Sequence, residues 1–434
     1  MSNLEFDFDL SRIEPPVHRQ GQVTEIRGTV VRAAIPDVHL GEICRIERPD
    51  EPDLEAEVIG FDRQGVLLMP LGQLSSIRTQ AVVKPGGGRP MVPCGEGVRG
   101  RVLDALGDPL DSVGPLRATE HTPLMSDPPN PLARDGITEP LPTGVRSIDA
   151  LLTVGRGQRM GIFAAAGVGK STLMSMIARN VAADTVVMAL IGERGREVRG
   201  FLENDLGEAG LAKSTVVVST SDQPALLRLR AAFTATAIAE AARRKGQRVV
   251  LLMDSVTRFA RALREVGLAA GEPPGRQGYP ASVFALLPRL FERAGNDVGG
   301  SITAFYTVLV TGDDLAEPVA DETIGLLDGH IILSREIAAR GQYPAIDILR
   351  SKSRLMTGLV DRPHLAAATR ANQVVHAYEK NYDKITMGLY DPPEGDEEGR
   401  LVRMYPNVQE FLKQDQHDAP SFEETAAQLK QLCG

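Results

Sequence analysis

The sequence predicts an α/β protein. A mainly parallel sheet is covered by helices on both faces, with a small N-terminal β-barrel before it and a C-terminal helical domain after it. Three observations predict this order. Continuous apolar runs alternate with helical periodicity between Gly157 and Ser334, the pattern of a buried parallel sheet. Short β-type runs broken by Gly, Pro, Asp and Glu fill the stretch from about Gln20 to Lys84. From about Gly358 the recognisable runs are helical. These shifts divide the chain at 1–20, 21–88, 89–357 and 358–434.

In the first block, GQVTEIRGTVVRAAIP, GEICRIE, AEVIGF and GVLLMPL are strand-like, and their spacing suits a small barrel or a sandwich. VKPGGGRPMVPCGEGVRGRVLDALGDPLD is dense in Gly and Pro and reads as a junction followed by a long surface connection, which DPPNPLARDGITEPLPTG continues to Gly144. The parallel sheet then draws on GQRMGIF, TVVMALIG, STVVVST, RVVLLMDS, SITAFYTVLV and GHIILS. Helices are predicted in KSTLMSMIARNVA, in REVRGFLENDLGEAG and in QPALLRLRAAFTATAIAEAARRKG, whose basic end and Gly246 form a C-terminal signature. PHLAAATRANQVVHAYEKNYDKI, VQEFLKQ and SFEETAAQLKQL supply the last helices, and the acidic run DPPEGDEEGR between them reads as a solvated loop.

Composition narrows the function. With 434 residues the chain exceeds one ordinary domain. There is no Trp, aromatics are 4%, and Lys+Arg 48 against Asp+Glu 57 leaves a net charge of −9, so a general nucleic-acid surface is not expected. Cys44, Cys94 and Cys433 lie far apart and match no metal spacing, as expected of reduced thiols in a cytoplasmic protein. The acidic start MSNLEFDFDLSRIEPP does not read as a signal peptide, and no apolar run is long enough to span a membrane.

The chemistry begins at Ala164-Ala165-Ala166-Gly167-Val168-Gly169-Lys170-Ser171-Thr172. It departs from G-x-x-x-x-G-K-[ST] only by Ala164, which a loop start in extended backbone tolerates. Backbone N–H groups at a helix N-terminus attract phosphate. Lys170 suits the β- and γ-phosphates, Ser171 a Mg²⁺ ion, and Thr172 the α-phosphate. After two intervening predicted strands, VVLLMDS carries Asp254 at its end, a carboxylate able to organise Mg²⁺. Glu193 follows the strand ending at Gly192, at the edge where ligands bind. It is either a base that polarises the attacking water or a carboxylate paired with Arg194 or Arg196. Arg350, Lys352 and Arg354 alternate in YPAIDILRSKSRLM, and their spacing fits a solvated edge as well as an arginine finger.

Together these elements resemble the hexameric rotary and secretion ATPases related to the catalytic subunit of ATP synthase, from about Gly21 to Met356 and more loosely beyond. IGERGREV carries the likeness, and so does YPAIDILRSKS, which fits P-[SAP]-[LIV]-[DNH]-x-x-x-S-x-S at Pro344 to Ser353. TGVRSIDALLTVGRGQRMGIF, GLAAGEPPGRQGYPASVFALLPRLFERAG, GSITAFYTVLVTGDD and EPVADETIGLLDGHIILSR look like type III secretion ATPases. AAAGVGKST and EPVADE lean toward the injectisome branch; the flagellar export ATPase is the alternative, and a Rho-type RNA translocase is opposed by the acidic, aromatic-poor composition.

The resemblance implies a RecA-like P-loop ATPase core that uses ATP and Mg²⁺. It implies Glu193 as catalytic carboxylate, Arg194 near the γ-phosphate, Arg354 as a finger supplied in trans, and Tyr343 packed on adenine. It further implies a cytoplasmic homohexamer peripheral to the inner membrane. A central stalk would face Gly271–Pro280, and a peripheral stalk or regulator would dock at residues 1–20. Chaperone–substrate complexes and the export gate would be further partners. The run TMGLYDPPEGDEEGRLVRMYP departs from that branch's usual sequence.

Overall fold

The computed structural model describes residues 19–118, 120–312, 314–392 and 395–434. The expected stalk-docking segment therefore falls, save for its last two residues, outside the described residues. The described residues form two compact units, divided between Pro90 and Met91.

In the first unit, β1 (Gly21–Arg27), β2 (Val30–Ala34), β3 (Ile43–Ile46), β4 (Leu54–Asp62), β5 (Gly65–Pro70) and β6 (Val82–Pro85) close a barrel. The order is β1-β2-β5-β4-β3-β6, with β6 pairing back onto β1. Alternating burial along β1 points Val23 inward, where Val31, Cys44, Ile46 and Leu68 complete the interior. Closure leaves no sheet edge to protect, which makes the predicted strands a barrel and not a sandwich.

The second unit starts with an antiparallel ribbon of β7 (Met91–Cys94) and β9 (Glu120–Pro123), with β8 (Val102–Leu103) between them in sequence. Then follow α1 (Arg146–Leu151), β10 (Arg159–Ala164), α2 (Lys170–Asn180) and β11 (Thr185–Glu193). α3 (Gly195–Gly200), a π-helical turn (Phe201–Leu206) and α4 (Gly207–Ala212) lead to β12 (Ser214–Thr220). α5 (Ala225–Arg244), β13 (Arg248–Asp254), α6 (Val256–Ala269), α7 (Ala281–Phe291), β14 (Gly295–Asp297) and β15 (Gly300–Leu309) come next. α8 (Pro318–Leu326), β16 (Gly329–Leu333), α9 (Arg335–Ala339), β17 (Lys352–Ser353) and α10 (Met356–Leu359) complete the sheet region. The sheet runs β17-β16-β10-β15-β13-β11-β12-β8; all pairings from β16 to β8 are parallel, and β17 and β14 pair antiparallel. Residues Thr185 to Gly192 of β11 are all buried because helices cover both faces, so the run shows no polar alternation.

Several expectations need correction. The long connection after the barrel is not all surface: Val102 and Leu103 pair with Val216 and Val217 and extend the sheet. REVRGFLENDLGEAG is helical, but with a π turn at its centre. The acidic run 391–400 is only half loop. Asp396 caps α13 (Glu397–Leu412), and Glu397 and Glu398 occupy its first turn, where the helix dipole favours negative charge.

α11 (Arg362–Lys380), α12 (Tyr382–Thr386), α13 and α14 (Phe422–Cys433) follow the sheet. They share one hydrophobic core with it: Val374, Val408 and Leu429 belong to the same buried cluster as Ile148, Met174 and Ile177. The Tyr378 and Tyr405 rings stack at 3.5 Å between α11 and α13.

A buried ion pair fastens the segment before the sheet to α5. Arg293 donates to both Glu240 oxygens at 2.8 Å, Ser126 donates to Glu240 at 2.6 Å, and Arg293 also donates to the Leu124 carbonyl. Both charged side chains are 2% exposed. Removing one partner strands the other charge in the core. Glu240→Ala is therefore expected to cost about 3–5 kcal/mol, read as a lowered urea midpoint.

Candidate active site

Parallel strands deliver their following loops to one edge of the sheet, where ligands of this architecture bind. After β10 comes the loop 165–169 and then α2. Ala164 is the last residue of β10, in register with Leu309 and Leu333 and fully buried. Its carbonyl accepts from Val310 at 3.1 Å. The methyl that breaks the consensus thus lies in the sheet core.

Ala165 and Val168 are buried, whereas Ala166, Gly167 and Ser171 are exposed. Gly167 at φ 82° and Gly169 at φ 92° take left-handed backbone that a side chain would strain. Among the described residues, the amides of Ala166 to Gly169 donate to no backbone carbonyl. The first-turn amides of α2, Lys170 to Thr172, are orphan donors for the usual helical reason. Seven consecutive residues, 166–172, therefore offer N–H groups at the start of an 11-residue helix.

Lys170 turns toward carboxylates. Its Nζ donates to Asp254 Oδ1 and lies 3.8 Å from Glu193 Oε1. Asp254 ends β13 and is 3% exposed. Thr307 of β15 donates to the same Asp254 oxygen at 2.7 Å.

Glu193 is aimed by a local irregularity: the β11–β12 register shifts between Ile191 and Glu193, and Gly192 takes φ 68°. A Cβ at Gly192 would stand 2.9 Å from Arg258 Cδ. The close approach has a purpose in the geometry. Arg258, on α6, donates through Nη1 to the Gly192 carbonyl and through Nη2 to Glu193 Oε2 at 3.3 Å.

The Glu193 carboxyl is pushed up to about 7, first by burial and then by the negative charge of Asp254; Lys170 and Arg258 oppose the shift. Such a group gains or loses its proton near neutral pH, as a general base requires.

Ser171 and Asp254 fit a hard divalent cation, being oxygen donors beside a phosphate-binding helix start. Among the described residues no cluster of three or more His, Cys, Asp or Glu could hold a metal alone. An ion here would take its remaining ligands from phosphate and water, as Mg²⁺ commonly does.

The structure separates the other predicted residues from this cluster. Arg194 is exposed at the start of α3 and donates to Glu197 at 3.2 Å, so the arginine paired with Glu193 is Arg258 and neither of its sequence neighbours. Arg354 follows β17 and donates to the Ile324 carbonyl at 3.0 Å. Ser353 pairs with Gly329, which pairs with Met160 at the start of β10. Four strand residues, roughly 13 Å, divide that level from Ala164, with the loop beyond. Arg354 and Lys170 thus sit at opposite edges of one sheet.

Tyr343 is 49% exposed, and a Cβ at Gly169 would stand 3.8 Å from its ring. It lines a cavity of about 910 Å³ together with Arg146, Phe411 and Gln414. The Gln414 backbone N–H donates to the Tyr343 carbonyl at 2.9 Å.

Sequence reasoning missed Arg258 and Thr307. Arg258 carried a usable signal, since it is one helical turn past Asp254 behind Ser255, which caps α6. Thr307 carried a weaker one, a hydroxyl within the apolar run AFYTVLV.

Known proteins resemble the chain along nearly its whole length. Residues 144–353 match the ATP synthase alpha/beta family, nucleotide-binding domain, and residues 360–431 match the T3SS EscN ATPase C-terminal domain. The flagellum-specific ATP synthase of Bacillus subtilis (strain 168) is 49% identical over 96% of this chain and 95% of that protein. The type 3 secretion system ATPase of Xanthomonas euvesicatoria is 49% identical over 94% of this chain and 92% of that protein. The structure of the assembled ATPase EscN from the enteropathogenic E. coli type III secretion system superposes with a TM-score of 0.90 at 43% identity, covering 95% of this chain and all of that one. EscN in complex with its central stalk EscO gives 0.88 at 42% identity, with 95% of this chain and all of that one covered. An orphan-donor loop at a helix start, a lysine between two strand-end carboxylates and similarity along nearly the whole chain lead to one family: this chain belongs to the type III secretion and flagellar export ATPases, enzymes that hydrolyse ATP.

Proposed function

We propose that the chain is the motor of a type III protein secretion system, working as a homohexamer whose nucleotide sites lie between neighbouring subunits. The observation that carries this is the separation just described. One sheet edge bears Lys170, Glu193 and Asp254, and the opposite edge bears Arg354, so a single chain cannot close its own site. In a ring, the Arg354 edge of one subunit meets the loop edge of the next.

In that site the amides of 166–172 and Lys170 cradle the triphosphate, and Lys170 leaves Asp254 for the β- and γ-phosphates. Ser171 and Asp254 would hold Mg²⁺. The ion, when bound with ATP, neutralises charge on the phosphate oxygens. Glu193 takes a proton from the attacking water, and Arg258 fixes the carboxylate plane through its two contacts. Arg354 of the neighbour stabilises the transition-state charge. Arg194, at the exposed start of α3, is placed to meet the γ-phosphate only if its side chain turns from Glu197. Tyr343 offers its exposed face to the adenine.

Because EscN is found with a central stalk, the loop Gly271–Pro280 is assigned to an equivalent stalk. Hydrolysis then drives release of chaperones from export substrates and their unfolding at the export gate, with the ring peripheral to the inner membrane. No helix among the described residues is long and apolar enough to cross a membrane. A flagellar export role is the second reading, since the Bacillus subtilis flagellar relative is as similar, at 49% identity, as the Xanthomonas euvesicatoria secretion ATPase. Deleting the gene separates the two. Loss of effector secretion with motility intact is expected, and loss of motility alone overturns the injectisome reading.

Arg354→Ala is expected to lower kcat by about 10³-fold or more in assembled rings. Mixing it with Lys170→Ala subunits should recover hydrolysis that neither variant shows alone, because each supplies the edge the other lacks. Absence of recovery at every mixing ratio would place the finger in cis.

The raised Glu193 carboxyl predicts an acid limb in kcat/KM near pH 7, with activity falling as pH drops and the base becomes protonated. Arg258→Gln removes a positive charge that holds this value down. The limb should therefore move up by about one pH unit, measured in pH–rate profiles.

A further inference from the structure

We propose that Thr307 is the positioning residue for the metal-organising carboxylate, holding Asp254 in place while Lys170 exchanges partners during each ATP-binding event. The proposal rests on the reading of Asp254 given above and extends it to a residue on a neighbouring strand.

The register places the contact. β15 lies between β10 and β13, with Ile162 opposite Thr307 on one side and Met253 opposite Tyr306 on the other. One residue past the Met253–Tyr306 pair, Asp254 and Thr307 stand side by side. Thr307 is fully buried, Asp254 is nearly so, and the hydroxyl donates to Oδ1 at 2.7 Å.

Oδ1 also accepts from Lys170. These two donors have different futures. The lysine is on a flexible stem and is drawn to phosphate oxygens when a triphosphate fills the loop. The threonine is β-branched, sits in a packed strand and has nowhere to go. Once the lysine departs, Thr307 is the side chain still fixing the carboxylate plane, which would leave Asp254 oriented to organise a divalent cation. Partners of this kind, one step removed from a metal, commonly contribute 10–100-fold to affinity or activity. A donor that merely satisfied a buried acceptor would affect folding, and its loss would be felt equally with and without metal.

Thr307→Val keeps the shape and removes the donor, and Thr307→Ser restores it. The test uses the full chain and a fluorescent non-hydrolysable ATP analogue, titrated with EDTA present and then across a Mg²⁺ series, alongside thermal unfolding. For Thr307→Val, metal-free affinity should match the parent protein, and the Mg²⁺ concentration giving half-maximal tightening should rise about tenfold. Thr307→Ser should return it to the parent value. A parent-like Mg²⁺ response in Thr307→Val overturns the proposal, and so does an equal loss with and without Mg²⁺ or failure of Thr307→Ser to restore the response. Asp254→Ala separates the two levels. If it leaves the Mg²⁺ response intact, the assignment of Asp254 fails and Thr307 falls with it. If it abolishes the response while Thr307→Val does not alter it, only the Thr307 proposal fails.

Discussion

The contact of Lys170 with Asp254, with Glu193 alongside, is the constraint on which the site depends. Without phosphate, a lysine at a helix start has two carboxylates for company, and those carboxylates repel each other. Burial and the Asp254 charge together keep the Glu193 proton affinity high. The arrangement holds only because β10, β15, β13 and β11 lie side by side and parallel, so that residues from 170, 193, 254 and 307 arrive at one edge. A different strand order would scatter the same side chains.

Much of this was legible in the sequence, for identifiable reasons. The six principal strands of the sheet are buried on both faces, so their runs are largely apolar and easy to bound. The loop, Asp254 and Glu193 stand where strands end, and strand ends are marked by an abrupt change in polarity. What stayed hidden is set by tertiary contact. The strand at Val102 is two residues long and too short to show a period. The second half of the acidic run turned helical because Asp396 caps it, a choice that composition alone did not reveal. Arg258 reaches Glu193 across a crossover of 65 residues in sequence, and no local pattern announces a partner so distant.

Strand geometry explains why Glu193 pairs with Arg258 and not with its neighbour Arg194. Adjacent residues in an extended strand point to opposite faces, so a neighbour in sequence is seldom a neighbour in space. At Glu193 the chain also turns from strand to helix, which sends Arg194 outward to Glu197. Helix α6, entering from behind the sheet edge, supplies the nearer cation.

The C-terminal helices pack against α1 and one another, and Val374, Val408 and Leu429 belong to the same buried cluster as residues of the sheet. Gln414, between α13 and α14, bonds at once to the Tyr343 carbonyl, the Gly144 carbonyl and the Arg146 amide. A hinge there would have to tear apolar surface from its neighbours and leave buried amides unpaired. Residues 91–434 therefore form one continuous packed unit, in which the last helices reach the strand before the loop through α1 and Gln414.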